Sequence, residues 1–271
     1  MIHLFRVWDR CAARIRQAEH IVLLFDFDGT LSPIANRPEI PRLSPFYRQM
    51  LPELIRRDRQ VAVGIISGRG LRDLRRRIGI RGLYYAGNHG LELRGPHLRF
   101  LHPGAAATRP VLVRIAKQLR KRLGGIPGIL VEDKTLSLSF HFRQVPRARH
   151  STVQDLFMQT VTPYLRRGEV RVTRGKMVLE VRPAVKWDKG SAVKLIRRAI
   201  EREWSPRKSL LSYLGDDETD EAAFASLRAN DLAVFVGGRK PGSAASYYLR
   251  DPAEVEEFLR RFKRLRTVMA A

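Results

Sequence analysis

Asp26-Phe27-Asp28-Gly29-Thr30-Leu31 closes the apolar run Ile21-Val22-Leu23-Leu24-Phe25. A short apolar run ending in charge reads as a buried strand, which places the two carboxylates at its carboxyl end. Two acids one residue apart in such a position are costly without a cation or a reacting partner. Gly29-Thr30 turns the chain sharply and leaves backbone N–H groups free to face an anion. Acid pair, turn and amides together point to phosphate chemistry with a hard metal. An N-cap or turn aspartate explains one acid after an apolar run, but not two followed by Gly-Thr. Glycosyltransferase metal sites also carry Asp-x-Asp, so the motif alone leaves that alternative open.

Outward from this strand, the first hundred residues alternate strand and helix. His20 to Asp26 reads as strand, and Ser44-Pro45 caps a helix through about Arg57, with Pro at the tolerated first position. Gln60 to Ser67 is a second apolar run ending in Ser67-Gly68-Arg69. Leu71 to Ile78 follows as helix, and Leu83 to Ala86 as a strand before Gly87-Asn88-His89-Gly90. Such alternation predicts a parallel sheet with helices on its faces and ligands beyond the strands' carboxyl ends.

From about Gly104 to Arg182 the pattern becomes helix, strand, helix, strand. Leu136 to Arg143 alternates strictly, which marks a sheet with one apolar and one polar face. Glu169 to Val181 reads as a hairpin around Arg174-Gly175. Met177, Leu179 and Val181 point one way; Lys176, Val178, Glu180 and Arg182 point the other. The first pattern resumes after Pro183. Helices are expected over Asp188 to Glu203, Glu221 to about Leu227, and Ala253 to Leu265, with strands at Ser209 to Leu214 and Leu232 to Val236. The expected class is α/β. A Rossmann-like parallel-sheet core over 1–103 and 183–271 is split by an inserted α+β cap over 104–182, whose polar sheet face is free to cover a cleft.

A second acid cluster narrows the chemistry. Asp216, Asp217 and Asp220 follow another buried strand in Gly215-Asp216-Asp217-Glu218-Thr219-Asp220. These acids would repel one another and the first pair unless a divalent cation neutralised some of them. Oxygen-only ligation with phosphate completing the shell suits Mg²⁺. Capping of the next helix by Asp217 or Thr219 is a compatible role, but it does not require four acids in six residues. Ser67-Gly68-Arg69 offers a hydroxyl and amides at a helix start, suited to a phosphate oxygen, or simply a helix cap. Lys189 also opens a helix, an unfavourable place for a cation, which suggests an anionic partner there. His89 reads more readily as a packed histidine than a catalytic one. His141, Arg143, Lys176 and Glu180 fall on the polar side of the inserted segment, where solvation and sugar binding explain them equally well. The chain has no P-loop, dinucleotide-type glycine run, His-Glu-x-x-His or Gly-x-Ser-x-Gly, which argues against nucleotide-motor, hydride-transfer, zinc-protease and serine-hydrolase chemistry.

Composition bounds the remaining options. The 271 residues, 44% hydrophobic and without repeats, are enough for one large domain or two modest ones. The longest apolar run is far shorter than the ~18 residues of a membrane span. Asp9, Arg10, Arg14 and Arg16 interrupt any signal-peptide pattern, so a cytoplasmic location is expected. Cys11, the one cysteine, excludes an internal disulfide and a cysteine-rich metal site. There are 51 Lys+Arg against 27 Asp+Glu, a net charge of +24. The arginines are spread along the chain, including Arg56-Arg57, Arg75-Arg76-Arg77 and Arg260-Arg261, without a basic tail or recognition-helix pattern. Specific nucleic-acid binding is not expected. A coding bias toward arginine explains the charge equally well, and an anionic substrate would be drawn in either way.

These motifs, in this order, resemble the haloacid dehalogenase superfamily of aspartate-nucleophile phosphatases. Asp26 to Leu31 looks like its first motif, Ser67 its second, Lys189 its third and Gly215 to Asp220 its fourth. An insert between the second and third is similar to the members with a mixed α/β cap. Within these, the chain resembles the trehalose-6-phosphate phosphatase family. That resemblance rests on Ala86-Gly87-Asn88-His89-Gly90-Leu91-Glu92, His141-Phe142-Arg143, Gly175 to Pro183 and Asp188-Lys189-Gly190. Asn88, where a smaller residue is expected, and the extreme basicity depart from the pattern.

The resemblance implies that Asp26 attacks phosphorus and forms an aspartyl-phosphate. Asp28 protonates the departing sugar oxygen and later takes a proton from water. Mg²⁺ is held by Asp26, the main-chain carbonyl of Asp28 and Asp216, with Asp217 and Asp220 in support. Ser67 and Lys189 bind phosphate oxygens, and Gly68 and Arg69 join them at the substrate. Lys176 and Glu180 contact sugar hydroxyls, with His89 and Arg143 as further substrate residues. Trehalose 6-phosphate is the implied substrate. Sucrose phosphate, a glucosylglycerol phosphate and mannosyl-phosphoglycerate are alternatives within the same chemistry. A nucleic-acid-binding or regulatory protein on the same fold is the alternative of another class.

Overall fold

Residues 21 to 25 are apolar without interruption because both faces of their strand are covered. In a computed structural model, which describes residues 1–34, 41–175, 177–204 and 208–269, Ile21, Leu23 and Phe25 enter one hydrophobic core, and Val22 and Leu24 enter a second. A parallel sheet between two helical layers produces such runs.

The chain divides into two compact units, Met1–Phe100 with Trp187–Ala271, and Leu101–Lys186. The first unit begins with β1 (Ile2–His3), α1 (Trp8–Gln17), β2 (His20–Phe25), α2 (Pro45–Arg57), β3 (Val61–Ile66), α3 (Leu71–Ile78), β4 (Tyr84–Gly87), β5 (Glu92–Arg94) and β6 (Arg99–Leu101). The inserted unit carries α4 (Pro103–Ala107), α5 (Arg109–Leu123), β7 (Leu130–Asp133), β8 (Leu138–His141), α6 (His150–Arg166), β9 (Val170–Gly175) and β10 (Val178–Pro183). The chain then returns through α7 (Lys189–Trp204), β11 (Ser209–Gly215), α8 (Glu221–Ala225), β12 (Leu232–Val236), β13 (Tyr247–Leu249) and α9 (Pro252–Met269).

Nine strands form the first unit's sheet in the order β1-β13-β12-β11-β2-β3-β4-β5-β6. Neighbours from β1 across to β4 run parallel, and β5 is antiparallel to β4. Side chains of α1, α2, α3 and α9 pack on one face, and those of α7 and α8 on the other. Because β11, β2, β3 and β4 are adjacent and parallel, the loops that follow them share one edge of the sheet. This is the α/β class read from the sequence. The strands missed by the sequence pattern, β1, β5, β6 and β13, have two or three residues each, too few to show a period. Ser44 stands at the N-cap of α2 as expected, but its hydroxyl donates to Glu256 of α9 and makes no cap bond.

In the inserted unit, β7-β8-β10-β9 form an antiparallel sheet. Leu138, Phe140, Leu179 and Val181 share a core with Leu112, Ile115, Leu119 and Leu123 of α5 and Val153, Phe157 and Val161 of α6. Glu180 pairs across the ladder with Ser139, which in turn pairs with Glu132, so the polar side chains form a row on the opposite face. Two expectations are corrected. The hairpin does not turn at Arg174-Gly175: both residues remain in the β9–β10 ladder, with Gly175 opposite Val178. Strand β7 was absent from the reading because its four residues do not alternate cleanly. Lys176 lies outside the described residues.

One buried ion pair ties the helices to the sheet. Arg197 of α7 donates to Asp231, whose carboxylate also accepts from Leu211 N at 2.9 Å and Arg228 N at 2.7 Å. Leu211 lies one residue before the β11–β12 ladder begins, so Asp231 satisfies an amide that β12 does not reach. Asp231→Ala is expected to cost about 3–5 kcal/mol by stranding a buried guanidinium, read as a lower urea midpoint at unchanged denaturant slope.

Candidate active site

The carboxyl edge of the parallel sheet gathers the residues flagged by the sequence. Asp26 follows β2, Ser67 follows β3, Asn88 and His89 follow β4, and Asp216 follows β11. Phe27 sends its ring into the same core as Phe25, so Asp26 and Asp28 turn to the other side, as their spacing of two requires. Gly29 adopts φ +91°, and a Cβ there would lie 2.0 Å from Asp216 Oδ2. Only glycine lets the first loop approach the second acid cluster this closely. Thr30, fully buried, donates to Asp216 Oδ1 at 3.2 Å.

Lys189 is the centre of the cluster. Its Nζ donates to Asp26 Oδ1 at 2.8 Å and to Asp220 Oδ1 at 2.7 Å, with all three side chains buried. The anionic partner expected at this helix start is thus two carboxylates. The helix amides are served separately by Asp188, which accepts from Ser191 N at 2.7 Å. Burial alone would pull the Lys189 ammonium downward, but the charges of Asp220, Asp26 and Asp217 reverse this and hold it above its usual range. Asp220 also accepts from the Tyr213 hydroxyl and, at 3.1 Å, from Asp217 N. Tyr213 was missed by sequence reasoning. A tyrosine in a buried strand two residues before Gly215 was its signal, since a buried hydroxyl needs a partner.

Asp26, Asp216 and Asp220 each offer a carboxylate oxygen, all within 4.8 Å of one another. Burial raises Asp26 well above the usual carboxylate range, against the pull of Lys189 and with the charges of Asp220 and Asp216 adding to the rise. Burial and the Asp220 charge push Asp216 up to about 7. The single charge of Lys189 leaves this group short of positive charge, and an all-oxygen set with that deficit fits a hard divalent cation. Asp217 does not join the group. Its carboxylate is exposed and accepts from Thr219 N in a capping box with Asp220. The side chain of Asp28 is also directed elsewhere, into a bidentate pair with Arg69, at 2.7 Å for both bonds.

Ser67 Oγ accepts from Arg69 N at 3.2 Å, and no acceptor takes its own proton among the described residues. The helix after it is capped at a distance instead: Glu92 accepts from Leu71 N at 2.8 Å and from Asn88 Nδ2 at 2.7 Å. This accounts for Asn88, whose side chain braces a turn in the left-handed region (φ 49°). His89 is buried, and its ring lies so close to Gly68 that a Cβ there would stand 2.8 Å away. Both residues therefore pack the Ser67 loop against the Asn88 loop. Trp187, also missed, donates to Gly90 O at 2.7 Å and stacks on Phe100, fixing the approach to Lys189. Arg143, exposed in the turn after β8, and Glu180 belong to the inserted unit. Glu180 accepts from Lys134 at 3.0 Å and from Ser137 and Ser139 at 3.4 and 3.5 Å. It is held by its neighbours in the sheet rather than freely solvated.

A solved haloacid dehalogenase-like hydrolase from Bacteroides thetaiotaomicron shares this fold, with a TM-score of 0.61 at 16% identity over 89% of this chain and 99% of that one. The trehalose-phosphatase family model matches residues 24–253, and the chain belongs to that family. The trehalose-phosphate phosphatase of Mycobacterium marinum is 39% identical over 242 residues, 87% of this chain and 60% of the relative. The chain spans 60 to 62% of the length of the mycobacterial relatives it matches. The C-terminal domain of C. albicans trehalose-6-phosphate phosphatase has the same fold, with a TM-score of 0.80 at 23% identity over 97% of this chain and 99% of that one. No helix among the described residues is long and apolar enough to cross a membrane.

The raised Asp216 makes stability depend on pH. Between its ordinary value and about 7 the folded protein holds a proton that the unfolded chain has released, so this contribution to stability is present at low pH and lost as pH rises through the folded value. In metal-free protein the melting temperature is expected to fall from about pH 5 to 8. Asp216→Asn should flatten that slope, and added Mg²⁺ should raise the melting temperature at the alkaline end of the wild type.

Proposed function

We propose that this chain is a Mg²⁺-dependent phosphatase that hydrolyses trehalose 6-phosphate to trehalose and phosphate through an aspartyl-phosphate on Asp26. The observation that carries this reading is the buried Lys189 bridge between Asp26 and Asp220, beside Asp216, in a chain of the trehalose-phosphatase family.

Asp26, at the tip of the central strand, is the nucleophile. Its carboxylate oxygen forms a bond to phosphorus while the ester P–O bond breaks, and the electron pair of that bond goes to the sugar oxygen. Asp28 gives that oxygen its proton, so the sugar leaves as an alcohol. Asp28 then takes a proton from water as the water oxygen bonds to phosphorus, breaking the bond to Asp26 and releasing phosphate. Ser67, with a proton to donate, and Lys189 bind phosphate oxygens and offset the developing charge. Asp26 and Asp216, with Asp220 and the Asp28 main-chain carbonyl, would hold Mg²⁺, which would supply charge neutralisation when bound.

Selection of the sugar is assigned to the inserted 104–182 segment. Glu180, already oriented by Lys134 and two serines, is the sugar-hydroxyl acceptor, with Lys176 and Arg143 as companions. The cytoplasm, where a phosphorylated disaccharide is retained, is the proposed location.

Phosphate release should be highest with trehalose 6-phosphate in a panel that includes sucrose phosphate, a glucosylglycerol phosphate, mannosyl-phosphoglycerate and monosaccharide phosphates. Chelation should abolish it, and Mg²⁺ should restore it. Asp26→Asn should remove turnover while keeping the melting temperature near or above wild type, because one buried charge is gone. Asp28→Asn should lower kcat by about 10²–10⁴-fold. A better substrate elsewhere in the panel would overturn the choice of sugar, whereas full activity of Asp26→Asn would overturn the chemistry.

A further inference from the structure

The two aspartates of the first loop are supported by different cations. Asp26 takes a compact ammonium from Lys189, whereas Asp28 takes the planar fork of Arg69, Nε to Oδ2 and Nη2 to Oδ1, both at 2.7 Å. A fork of this kind fixes both the position and the plane of a carboxylate, which a point charge does not. Arg69 is itself anchored. Its Nη1 donates to Asp73 Oδ2 at 3.2 Å, and Asp73, in the first turn of α3, also accepts from Arg76 at 2.8 Å and Arg77 at 2.6 Å. The guanidinium lies 5.6 Å from the centre of the Phe27 ring, the residue between the two aspartates. Its main chain is pinned as well, since Asn88 N donates to Arg69 O at 2.7 Å. The arginine is the buried partner, with 9% of its side chain exposed against 36% for Asp28. An outward-facing acid on a turn is thus backed by an interior arginine that is tied to a helix.

We infer that Arg69 is a positioning residue for Asp28: anchored by Asp73, it aims the carboxyl that serves the leaving oxygen, and it is not a ligand of the substrate phosphate. This rests on the reading of Asp28 as proton donor. Its chemical consequence is selective. An alkoxide leaving from a sugar phosphate needs the proton, and a misaimed donor slows that step, whereas p-nitrophenolate leaves without one; the later attack of water is common to both substrates, so the difference is read in kcat/KM, which reports transfer to Asp26 alone.

The test compares kcat and KM for the best sugar phosphate and for p-nitrophenyl phosphate in the full chain with Mg²⁺. Arg69→Ala should lower kcat/KM on the sugar phosphate about 100-fold, the scale of a 1 Å misplacement, and on the aryl phosphate less than about 5-fold on the same argument. Arg69→Lys should fall between Arg69→Ala and wild type. Asp73→Ala should show the same asymmetry to a smaller degree, and it keeps the question answerable if circular dichroism shows that Arg69→Ala does not fold. Asp28→Asn is the control. Asymmetry in Asp28→Asn without asymmetry in the folded arginine or Asp73 variants overturns the inference alone; no asymmetry in Asp28→Asn overturns the proton-donor reading and the inference with it. A raised KM for both substrates at an unchanged kcat ratio would make Arg69 a phosphate ligand. Faster sugar-phosphate turnover in Arg69→Ala would mean that the arginine restrains the acid. Either result overturns the proposal.

Discussion

One ammonium group joins three segments that are far apart in the chain. Lys189 Nζ bridges Asp26 at the end of β2 and Asp220 before α8, and all three side chains are removed from water. Each of these charges would be expensive to bury alone, and together they remain acceptable only because the contacts are close and the remaining atoms of Asp220 are satisfied. The bridge therefore sets where β2, β11 and the start of α7 can lie relative to one another. It also explains why a lysine can occupy the first turn of a helix, where the local dipole opposes it: two carboxylates outweigh the dipole, and Asp188 independently caps the amides.

The loops are fitted to this bridge by contacts that permit little freedom. Gly29 admits Asp216 into the space where a side chain would stand, and Thr30 fixes one of its oxygens. On the other side, Glu92 joins the Leu71 amide to Asn88, so the start of α3 and the turn after β4 share one carboxylate. A carboxylate at the end of a central strand gains rigidity from both neighbouring ladders, and a site built this way needs few flexible parts. The excess of negative charge among Asp26, Asp216 and Asp220 is met in the metal-free protein by the upward shift of Asp26 and Asp216, and the same three oxygens fit a divalent cation.

Much of this was legible in the sequence because the relevant signals are local. Asp26 and Asp28 sit next to a continuous apolar run, and Asp216 and Asp220 next to another. In a parallel sheet the carboxyl ends of such runs necessarily meet. Helix α3 matched its expected span because its apolar residues keep the helical spacing, and β12 because it is an unbroken apolar run. What escaped depends on partners remote in sequence. The Arg69–Asp28 fork crosses 41 residues, so the sequence reading could place Arg69 beside the phosphate but could not show that its guanidinium was already engaged. Tyr213 looked like any aromatic in a buried strand. Asp217 and Asp220, three residues apart in an acidic stretch, separate into a cap and a cluster member only when the 3-10 turn Glu218–Asp220 is known. The short strands β5 and β13 have no period to detect and exist only through their neighbours.

The two acids of Asp26-Phe27-Asp28 are set apart by the environments they meet. Phe27, anchored in the core, makes the residues on either side share a face but not a surrounding. Asp26 is sealed among carboxylates and an ammonium, where a cation relieves the charge imbalance. Asp28 emerges toward solvent on a rigid arginine support, where it can meet a leaving group or a water. With the roles proposed above, exchanging their supports would defeat both: an exposed nucleophile would keep its hydration and lose its reactivity, and a sealed acid could not exchange its proton with solvent between turnovers. The one-residue spacing therefore works because the strand ends at Phe25: Asp26, whose N–H still donates to Leu214 O at 2.8 Å, stays at the sheet's edge, and Asp28 lies on the turn beyond it.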